Sequence, residues 1–175
     1  KPTVTVNCSS PAIVNEGDNI KCACRGEGGN PPAKVIWYKD SLQISGIGHE
    51  KQTLSLSNVK KTDIGTYKCV AQSASRINAT DERSIDIIVR LNFKPNNTAI
   101  MITPEPAVVG GSVTISCYSD GLPEPSYTIM HNDSKLVTAD KTYTISKVQW
   151  SDAGTYNCIA WNKLGNDSKN YTMNP

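Results

Sequence analysis

The chain has 175 residues with 18 Lys+Arg against 16 Asp+Glu, a net charge of +2, too balanced for a dedicated binder of nucleic acid or of an anionic membrane. Asp86 interrupts the longest apolar run, Ile85 to Val89, so nothing approaches the roughly 18 apolar residues of a membrane helix. Six cysteines beside only two histidines, His49 and His131, argue for an oxidising compartment and against zinc, since Cys22 and Cys24 lack the two-residue gap of a metal knuckle.

Along the chain, short runs rich in Val, Ile, Thr and Tyr alternate with period two between clusters of Gly, Pro, Asn and Ser, and no amphipathic helical stretch interrupts them. The expected class is all-β. Ile20, Cys22 and Cys24 share one face of a strand that follows Gly17. In the next strand Val35 and Trp37 point inward, which turns Ile36 and Tyr38 outward. Leu54, Leu56 and Val59 lead into Asp63, Gly65, Tyr67 and Cys69. On that last strand Tyr67, Cys69 and Ala71 face in and Val70 faces out. A further strand is expected over Arg83 to Val89, then a connection near Leu91 to Thr98 containing Pro95, short and stiff enough to hold two modules end to end.

The pattern then starts again. Val113, Ile115 and Cys117 follow Gly110, and Tyr143, Ile145 and Val148 lead into Asp152, Gly154, Tyr156 and Cys158. The register makes Cys24, and not Cys22, the counterpart of Cys117. A slip of one residue would turn every core side chain outward, so the agreement is a demanding one. It divides the chain into domains 1–91 and 92–175.

Six N-glycosylation acceptors also point to the secretory route: Asn7, Asn78, Asn96, Asn132, Asn166 and Asn170.

Cys24, Trp37, Tyr67 and Cys69 together resemble the mark of the immunoglobulin superfamily, and the resemblance covers essentially the whole chain. Cys117, Tyr156 and Cys158 repeat it without the tryptophan. Ile129 stands in its place, and Trp150 and Trp161 are in the wrong register to do so. The resemblance implies two tandem immunoglobulin-like β-sandwiches of the intermediate or constant (I-set/C2) type, pinned by Cys24–Cys69 and Cys117–Cys158. It also implies a tyrosine corner at Tyr67 and Tyr156. The intervals between paired cysteines leave no room for the two extra middle strands of a variable-type domain. Cys8 and Cys22 remain; neighbouring antiparallel first strands would let them form an extra bridge, while a free pair serving redox or intermolecular linkage is the rival.

For chemistry the chain offers no phosphate-binding glycine loop before a helix and no Ser, His, Asp set, so no enzyme, cofactor or metal is expected. Ile36, Tyr38 and Val70 make a candidate partner surface, with no acceptor asparagine between Asn7 and Asn78. Met130, Ile159 and Trp161 form a similar set in the second domain, shadowed by a glycan at Asn132. Asp40, Ser41 and Leu42 resemble the acidic loop with which some adhesion molecules of this superfamily engage integrin metal sites, although a Lys, Asp, small-residue turn explains them more simply. The expected function is recognition or adhesion at the cell surface, binding proteins that include copies of the chain itself as a homodimer. Nucleic acid and direct membrane contact are not expected. The expected source is the ectodomain of a membrane-anchored glycoprotein, with leader and anchor removed. The alternatives are the ectodomain of a receptor kinase or immune receptor, and a secreted recognition protein.

Overall fold

A computed structural model describes all 175 residues, apart from the side chain of Ile77. The chain divides into two compact units, Lys1–Leu91 and Asn92–Pro175. Each is a pair of β-sheets facing one another across a buried core.

In the first unit β1 (Thr3–Val6), β3 (Ile20–Glu27) and β7 (Lys51–Leu56) form a three-stranded sheet in the order β1-β3-β7. The opposing sheet runs β2 (Ala12–Asn15), β9 (Thr80–Arg90), β8 (Gly65–Gln72), β4 (Lys34–Lys39) and β5 (Leu42–Gln43), with the short β6 (Gly48–His49) also on β4. The chain therefore changes sheet between β1 and β2, and β2 runs parallel to β9. Alternation explains the core: Cys24, Val35, Trp37, Cys69 and Ala71 are fully buried, while the residues between them point outward.

The second unit repeats the plan. One sheet is β10 (Phe93–Thr103), β11 (Val113–Leu122) and β14 (Thr142–Ile145); the other runs β13 (Lys135–Thr138), β12 (Ser126–His131), β15 (Gly154–Asn162) and β16 (Gly165–Met173). Trp37 faces Cys69 in the first unit and Ile129 faces Cys158 in the second, so isoleucine occupies the tryptophan's register position and is equally buried. Trp150 and Trp161 are 71% and 49% exposed.

The repeat extends to hydrogen bonds. Gly17 N–H donates to the Val59 carbonyl at 2.9 Å, and Gly110 N–H to that of Val148 at 2.8 Å. Both glycines have positive φ, 92° and 88°, which a side chain would oppose. The Asp, Gly, Tyr, Cys phrase is a folded corner. Asp63 and Asp152 accept from the N–H of Lys60 and Gln149, closing one-turn 3₁₀ segments, and their carbonyls accept the hydroxyls of Tyr67 and Tyr156, each at 2.6 Å.

Three disulfides join Cys8 to Cys22, Cys24 to Cys69 and Cys117 to Cys158, with Cα separations of 5.5, 6.6 and 6.0 Å. By chain entropy the 14-residue loop contributes about 3 kcal/mol and the 45-residue loop about 4 kcal/mol. Cys22 and Cys24 both point into the core of the first unit, so β3 anchors two bridges from one face.

The junction differs from expectation. Residues 93–98 are not a free connection: β10 begins at Phe93 and takes in Pro95, leaving only Leu91 and Asn92 outside strands. β10 lies at the edge of its sheet and its register shifts on either side of Asn96. An edge strand at a bulge tolerates proline's missing N–H, which is why Pro95 does not end it. The preceding strand is likewise longer than Arg83 to Val89, running from Thr80 to Arg90.

Candidate recognition face

The outward residues of β4 and β8 come together as side-by-side pairs. Ile36 lies directly opposite Val70, and Tyr38 opposite Lys68. Val70 in turn faces Glu82 on β9, and Lys68 approaches Glu82 at 3.7 Å. Ile36, Tyr38 and Val70 are half-buried, with Ile36 and Val70 a direct cross-strand pair and Tyr38 two residues further along β4.

Two apolar residues continue this face where sequence reasoning found none. Ile13 on β2 pairs with Ile88 on β9, and they are 58% and 42% exposed. Their contribution depends on β2 crossing to the second sheet and running parallel to β9, a non-local pairing that period-two alternation does not reveal. The face carries cations on β4 and β8, Lys34 and Lys68, and on β9 two anions, Glu82 and Asp86, with the cation Arg90 at the strand's end.

The corresponding face of the second unit is built differently. Thr128 faces Ile159, Ser126 faces Trp161 and Met130 faces Asn157, so Met130, Ile159 and Trp161 do share one side. On β16, however, Asn166 lies opposite Trp161 and Asn170 opposite Asn157. Both are acceptor asparagines and both are exposed, and Asn132 follows β12 immediately. Asn132 was visible from the sequence as the neighbour of this face; the other two reach it only through the β15–β16 hairpin, whose turn could have been read at Asn162 to Gly165. In the first unit Asn7 lies on the β1-β3-β7 side, hydrogen-bonded to Ala23, and Asn78 sits in the one-turn segment between β8 and β9. Neither falls within the outward rows of β4 and β8.

Asp40 and Ser41 form the two-residue turn between β4 and β5, with Lys39 paired to Leu42. Both have positive φ, 49° and 64°, the geometry of a tight hairpin turn that matches strand twist. That hairpin accounts for the Asp, Ser, Leu run. His49 is exposed on β6, and His131 ends β12, stacked on Tyr156 with ring centroids 4.4 Å apart and its Nε2 2.8 Å from the Ala153 carbonyl oxygen. Among the described residues no three His, Cys, Asp or Glu side chains are grouped as metal ligands would be.

Two disulfide-pinned β-sandwiches in tandem define the class of this protein. The immunoglobulin domain family model matches residues 1–73 and 94–162, and the chain belongs to that family. It is 27% identical to human vascular cell adhesion protein 1 over 97% of this chain and 23% of that protein. It is 26% identical to rat cell adhesion molecule 2, over 99% of this chain and 43% of that protein. The chain thus spans less than half the length of these curated relatives. Among solved structures, a chimeric titin Z1Z2 carrying a decorin-derived KLER peptide superposes with a TM-score of 0.59 at 16% identity, over 97% of this chain and 95% of that one. The sidekick-1 immunoglobulin domains 1–5 give 0.55 at 17% identity, over 97% of this chain and 38% of that one. These structural likenesses concern the fold alone. The adhesion-molecule relatives and the three disulfides go with an extracellular domain.

Proposed function

We propose that the chain is a non-catalytic recognition module of a cell-surface glycoprotein, and that it binds protein partners through the outer face of β4, β8 and β9 in its first unit. The observation that carries this reading is an asymmetry. Both units turn an apolar row outward on the same sheet, but only the second faces acceptor asparagines, Asn166 and Asn170. Glycans are large and strongly hydrated, so a row beside two of them is poorly placed for a protein interface. The row at Ile36, Tyr38 and Val70 has no such neighbour.

A second copy of the chain is the partner that the charges favour. Lys34 and Lys68 stand on β4 and β8 among the apolar residues, and Glu82 and Asp86 on β9 beside them, with Lys68 within 3.7 Å of Glu82. A twofold rotation lays the cations of one face on the anions of its mate, as a self-complementary interface requires. Beads coated with the glycosylated chain should therefore cluster, and beads coated with Tyr38→Glu should not. If densely coated wild-type beads stay dispersed, self-association is the wrong reading, and the face would serve a different protein, as in the ectodomain of a signalling receptor. Capture of a cell-surface protein that Tyr38→Glu also abolishes would then keep the face while changing its occupant.

A further inference from the structure

The six acceptor asparagines are not equivalent. In five the residue between Asn and Ser or Thr is Ala79, Asn97, Asp133, Asp167 or Tyr171; in the first it is Cys8, which is half of a disulfide. The folded chain holds this acceptor by three ties on two consecutive residues. Asn7 N–H donates to the Ala23 carbonyl at 3.1 Å, Asn7 Oδ1 accepts the Ala23 N–H at 2.8 Å, and Cys8 is joined to Cys22. The side-chain amide extends the β1–β3 ladder one step beyond the strand's end. An enzyme that must draw the acceptor into its own site cannot do so while these ties hold.

We propose that Asn7 is a conditional modification site, glycosylated only in molecules where transfer happens before Cys8 and Cys22 join. In the transfer, Asn7 Nδ2 forms a bond to the anomeric carbon of the first N-acetylglucosamine, the bond from that carbon to a lipid-linked pyrophosphate breaks, the pyrophosphate leaves with the electron pair, and Nδ2 gives up one proton. In the competing step, the two thiols lose two protons and two electrons to a protein disulfide of the secretory compartment, which becomes a dithiol. The two reactions share a narrow interval. At ~5–20 residues per second the 14 residues separating Cys8 from Cys22 are synthesised within about three seconds, and a loop this short closes more readily than the 45-residue one. Disulfide formation can be as fast as seconds, so neither reaction always wins.

The consequence is two surface forms. Lys21, Arg25 and Lys51 are exposed on the outer face of the β1-β3-β7 sheet, with Arg25 opposite Lys51, and Asn7 is hydrogen-bonded to Ala23 between Lys21 and Arg25. Glu27 shares this outward row and lies 3.6 Å from Arg25, and a glycan on Asn7 covers the face while its absence leaves it open.

The inference rests on the secretory reading and not on the recognition face. Glycan occupancy at each asparagine should be measured by mass spectrometry on the chain expressed with a secretory leader, as wild type and as Cys22→Ser, which leaves the tripeptide Asn7, Cys8, Ser9 unchanged. A third arm is wild type synthesised in the presence of a cell-permeant dithiol. Occupancy is fixed during synthesis, so it is read on intracellular protein whether or not the variant folds. Asn7 should rise from under about half of the molecules in wild type to nearly all in both other arms, with Asn132 and Asn170 unchanged. Full occupancy in wild type, or the same partial occupancy in all arms, overturns the proposal. Glycan at none of the six positions overturns the secretory reading and the proposal with it.

Discussion

The hydroxyl of Tyr67 donates to the carbonyl of Asp63, four residues upstream, at 2.6 Å, and the side chain of the same Asp63 accepts the N–H of Lys60. One aspartate thereby ties the short 3₁₀ turn to the strand that carries Cys69. Tyr156 and Asp152 repeat the arrangement in the second unit. Tyr67→Phe and Tyr156→Phe each remove a neutral hydrogen bond and leave a carbonyl less well satisfied, so each should cost about 1 kcal/mol in urea denaturation without changing the secondary structure by circular dichroism.

The same tyrosines set a pH dependence. Burial, and after it the charge of Asp152, pushes the Tyr156 phenol up to about 12, and burial raises Tyr67 as well. In the unfolded chain a phenol ionises near ~10, so the folded state keeps its proton to higher pH. The stabilisation is fully present below about pH 10 and is lost as the pH climbs towards 12. Unfolding free energy should therefore fall across that window, and Tyr156→Phe should flatten the fall. An unchanged slope in the variant would remove Tyr156 from the explanation.

Gly154, in the corner of the second unit, is not interchangeable with a glycine elsewhere in the chain. A Cβ on Gly154 would collide with the side-chain amide of Asn132, and its φ of +122° resists any L side chain. Gly110 also has positive φ, +88°, but its Cβ would meet nothing. Gly154→Ala should cost about 2–3 kcal/mol and Gly110→Ala about 1 kcal/mol, a difference that measures the Asn132 contact.

Cys8→Ala with Cys22→Ala should leave a folded chain that is less stable by about 3 kcal/mol, because the bridge closes a short loop and Cys8 lies two residues past the end of β1. Removing Cys24 and Cys69 together should cost more than the about 4 kcal/mol of loop entropy, since both are fully buried against the core. Thermal denaturation of the two double variants checks the order.

What the sequence revealed follows from locality. Trp37 and Ile129 could be placed against Cys69 and Cys158 because alternation within a strand and the repeat between domains are both written along the chain. The outward trio Ile36, Tyr38 and Val70 came from the same alternation. Ile13 beside Ile88, and Asn166 beside Trp161, depend on which strands pair and in what register, and those choices are made by packing across the whole unit. Pro95 misled for a related reason: a proline marks a break only if the strand needs its N–H, and an edge strand at a bulge does not.

The claim that the face of β4, β8 and β9 meets the partner is tested most directly by building a glycan onto it. Glu82→Asn completes an acceptor with Arg83 and Ser84 directly opposite Val70, and Lys51→Asn completes one with Gln52 and Thr53 on the other sheet. With both variants shown by mass to carry the added glycan, bead clustering should vanish for Glu82→Asn and persist for Lys51→Asn. Clustering that survives the glycan at position 82, or is lost only with the glycan at position 51, would contradict the account.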